Sequence, residues 1–89
     1  MLTGAVTDVR DGGTVEVAGV PIRLQGLAAP EWDEPGGPEA TAAMRELVAG
    51  RELRCELTGE RTYDRCVGVC ELDGTDLGAR MARAGLARD

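Results

Sequence analysis

A stretch of 89 residues is one domain's worth of chain, at the small end of what a single hydrophobic core supports, and leaves no room for a second domain within it. Its 43% apolar content is ordinary, but with no Phe, one Tyr (Tyr63) and one Trp (Trp32), the core falls to Val, Leu, Ile, Ala and Met, and aromatic stacking platforms are nearly absent. Sixteen acidic residues against ten basic ones, all of them Arg, give a net charge of −6; with no His there is no imidazole base or His metal ligand, and any phosphate site must be local rather than a general basic surface.

In chain order, Leu2 to Arg10 reads as a strand and Asp11-Gly12-Gly13 as a tight hairpin turn of a kind that draws on glycine's access to positive φ. Thr14 to Ala18 alternates Val15 and Val17 against Thr14 and Glu16, and after Gly19 the stretch Val20 to Leu27 sets Ile22 and Leu24 against Arg23 and Gln25. Three strands therefore meander. Ala28 to Gly37, AAPEWDEPGG, has no period and reads as an exposed loop, in which Trp32 is expected to be a partly exposed packing residue. Pro38 then opens a helix over Pro38 to Ala49, with Ala40, Ala43, Met44, Leu47 and Val48 on one face and Gly50 ending it. Leu53, Cys55 and Leu57 mark a fourth strand, Arg65 to Leu72 a fifth, Asp73-Gly74 a turn, and Asp76 to Ala84 a short last helix with Leu77, Met81 and Ala84 on its apolar face.

The longest apolar runs are a few residues, far short of the roughly 20 needed to span a bilayer, so no membrane association is expected. The N-terminal ten residues lack the basic start and apolar core of a signal peptide, which fits a cytoplasmic protein or a processed secreted or periplasmic one. Three cysteines match neither a zinc spacing nor a CxxC motif. Hairpin pairing of the fourth and fifth strands sets Cys55 opposite Cys70 in the interior, as a disulfide or as packed thiols, and leaves Cys66 free.

The order is β-β-β-α-β-β-α, a mainly β (α+β) layout whose five short strands suit an OB-type barrel. DGGT, VPIRLQGLAAPE, GPEA, TYDR and DLGARMARAGLA follow one another in the order of a staphylococcal nuclease-like (thermonuclease) domain, which the chain resembles over its whole length. The resemblance implies a single domain over 1–89, lacking the usual C-terminal helix, and calcium-dependent hydrolysis of nucleic-acid phosphodiesters. By it Arg23 and Arg65 match the two phosphate-gripping arginines, Glu31 the carboxylate that orients or deprotonates water, and Tyr63 a position contacting a nucleotide phosphate. Without the resemblance, Arg23 reads as a solvated strand residue and Arg65 as a surface ion pair with Glu60 or Asp64.

The departures fall on the metal site. Gly13 and Ala28 stand where the family carries calcium-ligating aspartates, leaving Asp11, Glu31 and the Ala29 carbonyl nearby. Each lost carboxylate forfeits on the order of several kcal/mol of attraction to a dication before desolvation is credited back. The sequence thus implies a degraded calcium site and a domain that binds single-stranded nucleic acid or a nucleotide phosphate weakly, with hydrolysis weak or absent. Two alternatives stand beside it: an active endonuclease using a relocated metal, and an acidic barrel that captures a basic protein partner.

Overall fold

Gly12 and Gly13 fold the chain back between Asp11 and Thr14, which pair directly, and the sheet grows from that hairpin. In the computed structural model, which describes residues 1–62 and 64–87, β1 (Leu2–Asp11), β2 (Thr14–Val17) and β3 (Val20–Leu24) form the expected antiparallel meander. Helix α1 (Gly37–Val48) follows, then β4 (Glu52–Thr62), β5 (Arg65–Leu72), a two-residue β6 (Thr75–Asp76) and α2 (Leu77–Arg83). The sheet runs β3-β2-β1-β4-β5-β6, and β3 also pairs in parallel with β5, so five strands close into the ring expected of an OB-type barrel. Along β5, residues 66–68 carry β3 and residues 71–72 carry β6.

Closure buries one face of each strand. Val15, Val17 and Ile22 from the meander and Cys55 and Cys70 from the β4–β5 hairpin are fully buried, and Leu53 and Leu72 nearly so. Ala40, Met44 and Val48 of α1 and Leu77 and Met81 of α2 complete this core. Cys55 and Cys70 pair directly across the hairpin and are joined by a disulfide; Cys66 is a free, half-buried thiol. Asp76 caps α2, its carboxylate accepting from the Ala79 amide at 3.1 Å.

Several boundaries differ from the sequence reading. Strand β3 stops at Leu24 rather than Leu27, because a turn follows with Gly26 at φ 71°. Strand β4 runs on to Thr62, but its register against β5 slips between Leu57 and Arg61, which leaves Leu57 37% exposed instead of in the core. The buried stripe of α1 takes in Thr41 and leaves Ala43 and Leu47 half-buried, while Ala84, at the C-cap of α2, is exposed. Thr14, read as part of a polar face, is fully buried. Among the described residues no helix is long and apolar enough to cross a membrane.

Candidate phosphate-binding and active site

The strand register brings the two arginines to one wall. Thr14 on β2 lies opposite Arg23 on β3, and Arg23 in turn lies beside Val67, two residues along β5 from Arg65. Arg65 Nη1 donates to Thr14 Oγ1 at 3.1 Å, and Arg23 Nη1 donates to its neighbour's carbonyl, Leu24 O, at 2.8 Å. Both arginines are half-buried around the fully buried Thr14. A guanidinium in such a setting meets a phosphate oxygen with less screening than one in open water. Arg65 is not the ion-pair partner of Asp64: that carboxylate accepts from Arg10 Nη1 at 3.0 Å. The Arg10 hydrogen bond holds the Asp64 carboxyl below the usual carboxylate range, and Asp64 in turn raises the Arg10 guanidinium. The sequence names Asp64 only as a partner for Arg65 and gives Thr14 and Arg10 no role at the site; the pairs Arg10–Asp64 and Arg65–Thr14 join residues 54 and 51 apart.

The turn that precedes Thr14 is shaped by close approach, not by positive φ. Neither Gly12 nor Gly13 is among the positive-φ residues. A Cβ on Gly12 would lie 2.8 Å from Ala40 Cβ of α1, so glycine here lets the hairpin sit on the helix. A Cβ on Gly13 would lie 3.1 Å from Arg23 Nη1 and 3.6 Å from Ala29 Cβ, so this position looks toward the arginine wall and the loop. Asp11 Oδ1 accepts from the Gly13 amide at 2.8 Å, which commits one carboxylate oxygen to the turn itself.

The loop after β3 is anchored by Leu27, 4% exposed, and then emerges through exposed Ala28 and half-buried Ala29 and Pro30 to exposed Glu31. Glu31 heads a turn in which its carbonyl accepts from the Glu34 amide at 2.9 Å and its own amide donates to Glu34 Oε1 at 2.7 Å. The loop side chain nearest the Gly13 position is Ala29 rather than Ala28. Trp32, at the corner of that turn, is 60% exposed, in keeping with the partly exposed residue expected there. Tyr63 lies outside the described residues. Among the described residues no three His, Cys, Asp or Glu side chains come together as a metal would need.

A family model described as staphylococcal nuclease homologue matches residues 21–89. The chain is 39% identical over 93 residues to the succinoglycan biosynthesis protein ExoI of Rhizobium meliloti (strain 1021), covering 91% of this chain and 49% of that protein. It is 39% identical over 66 residues to the "Probable staphylococcal-like nuclease CAN1" of Oryza sativa subsp. japonica, covering 74% of this chain and 20% of that one. An "Uncharacterized endonuclease" of Escherichia coli is 37% identical over 89 residues, covering 94% of this chain and 58% of its own length. The chain thus spans about half or less of most of the relatives it matches. With the family model matching from β3 onward and the ring-like five-stranded sheet in place, the chain belongs to the staphylococcal nuclease homologue family.

Proposed function

We propose that this domain holds a phosphate of single-stranded nucleic acid, or of a nucleotide, between Arg23 and Arg65, and that its calcium centre is degraded, so that phosphodiester hydrolysis is weak or absent. The observation that carries the reading is the convergence of both arginines on Thr14, by strand register for Arg23 and by a 3.1 Å hydrogen bond for Arg65. Two planar forks on one wall suit the oxygens of a phosphodiester, whose single negative charge they neutralise without a proton to lose. Glu31, exposed at the head of its turn, is the group that would orient or deprotonate an attacking water.

Calcium serves the family generally, but the donor set of this chain does not suit it. Where a second aspartate would stand, the Gly13 position faces the Arg23 guanidinium, a like charge to any bound cation. Binding is therefore assigned to the arginines alone. The names of the rice and Escherichia coli relatives, nuclease and endonuclease, favour a second reading in which this chain cleaves with a metal held elsewhere. A digestion assay on single-stranded DNA with calcium, magnesium or manganese separates the two. The first reading expects oligonucleotide binding with little or no cleavage; metal-dependent cleavage abolished by Glu31→Gln establishes the second.

A further inference from the structure

Trp32 is the only tryptophan of the chain, and it stands 60% exposed in a protein whose other core-sized apolar side chains mostly pack inside. We propose that Trp32 is a stacking platform for a nucleobase of the strand whose phosphate the arginines hold, and that it selects single-stranded over duplex nucleic acid. The inference rests on the phosphate-binding reading above and adds to it a residue that faces the base rather than the backbone.

The indole is presented from an ordered corner. Glu31 and Glu34 close the turn around Trp32 through two hydrogen bonds, and the Gly37 amide donates to the Glu34 carbonyl at 2.8 Å. Gly37 presses so closely on this turn that a Cβ there would collide with the Glu31 carbonyl oxygen and lie 2.7 Å from that of Trp32. The side chain is thus displayed 60% exposed on a hydrogen-bonded turn, so little backbone freedom is lost when a ligand covers it.

Its location suits a base. Ala29 sits 3.6 Å from the Gly13 Cβ position, which is itself 3.1 Å from Arg23 Nη1. Three residues of chain reach at most about 11 Å, so the Trp32 backbone lies no more than about 20 Å from that guanidinium, within the span of a short single strand. The charges around it sort the two halves of a nucleotide. Glu31, Asp33 and Glu34 repel a phosphate from the indole, whereas a neutral base can lie on its face while the phosphate stays on the arginine wall. Bases in a duplex are already stacked on their neighbours and cannot take this position.

Because Trp32 is the only tryptophan, its fluorescence reports this one site. Native protein in EDTA is titrated with an end-labelled short oligothymidylate, with an abasic strand of equal length, and with a duplex, following label anisotropy for binding and indole emission for contact. The expected result is tighter binding and indole quenching with oligothymidylate alone. Trp32→Ala should then lower oligothymidylate affinity about 5- to 100-fold, leave abasic-strand affinity unchanged, and be largely rescued by Trp32→Phe. Equal binding of the two single strands, unaltered by Trp32→Ala, overturns the stacking role and leaves the phosphate reading standing. Failure of every strand to bind overturns the phosphate reading and this inference together. Quenching by a short oligoarginine peptide in place of the oligonucleotide also overturns it, since the indole would then serve a cation.

Discussion

The arginine wall and the loop that faces it are held in place by different means. On the wall, Arg23 and Arg65 belong to strands whose opposite faces fill the core, so barrel closure through β3 and β5 fixes where both guanidiniums emerge. In the loop, Ala28 to Gly36 contributes no deeply buried side chain, and its shape comes from its own short-range hydrogen bonds. A residue in the second region can change from carboxylate to methyl without disturbing the barrel, whereas one in the first cannot shift without shifting a strand. This difference accommodates Ala28, which lies exposed in the loop, whereas Gly13 lies buried in the β1–β2 turn against Arg23, on the wall's side of the division.

Four substitution experiments sharpen the comparison. The largest effect is expected on the wall's foundation: Cys55→Ala with Cys70→Ala removes a disulfide closing a loop of 15 residues and should cost about 3 kcal/mol in denaturant unfolding. Oligonucleotide affinity of the protein that remains folded should not change. Next, Arg65→Ala should weaken oligonucleotide binding about 10- to 100-fold, the worth of a charged hydrogen bond, and cost about 1 kcal/mol of stability because Thr14 loses its donor. The two glycines of one turn should then part company. Gly12→Ala meets Ala40 at 2.8 Å and should cost about 1 to 3 kcal/mol of stability by overpacking, because core and helix both have to give. Gly13→Asp should leave stability within about 1 kcal/mol yet lower oligonucleotide affinity, because the new carboxylate meets the Arg23 guanidinium first.

How far the sequence revealed this arrangement follows the same division. Alternation in Val15/Val17, Ile22/Leu24 and Leu53/Cys55 made the strands legible because each buries one face, and the pairing of Cys55 with Cys70 followed from hairpin geometry alone. Leu57 misled because local alternation does not reveal a register slip in the partner strand. Thr14 misled because a polar residue on an alternating strand looks solvated, although here a guanidinium 51 residues away covers it. The glycine turn was legible as a turn but not in its cause, which is the approach of Ala40 and Arg23 rather than a positive φ. Trp32 was legible as partly exposed from its aperiodic loop, but the turn that Glu31 and Glu34 close around it was not, since those hydrogen bonds leave no period in the sequence.

The smallest effect concerns pH. The Arg10 hydrogen bond depresses the Asp64 carboxyl below its ordinary value of 3.8, so the native protein takes up this proton less readily than the unfolded chain. The stabilisation is complete above the unfolded value and fades as pH falls through the lowered native one. Asp64→Asn should therefore slightly flatten the acid limb of the stability profile, and about 1 M salt should erase the difference, because the pair is exposed.

The central claim, that the phosphate grip survives without its metal, is tested most directly by the anisotropy of a labelled single-stranded oligonucleotide titrated with native protein and with Arg23→Ala. Each titration is run in millimolar calcium and again in EDTA. Native affinity should be the same in both buffers and fall about 10-fold or more in the variant. Binding that appears only with calcium, or that is indifferent to Arg23→Ala, would contradict it.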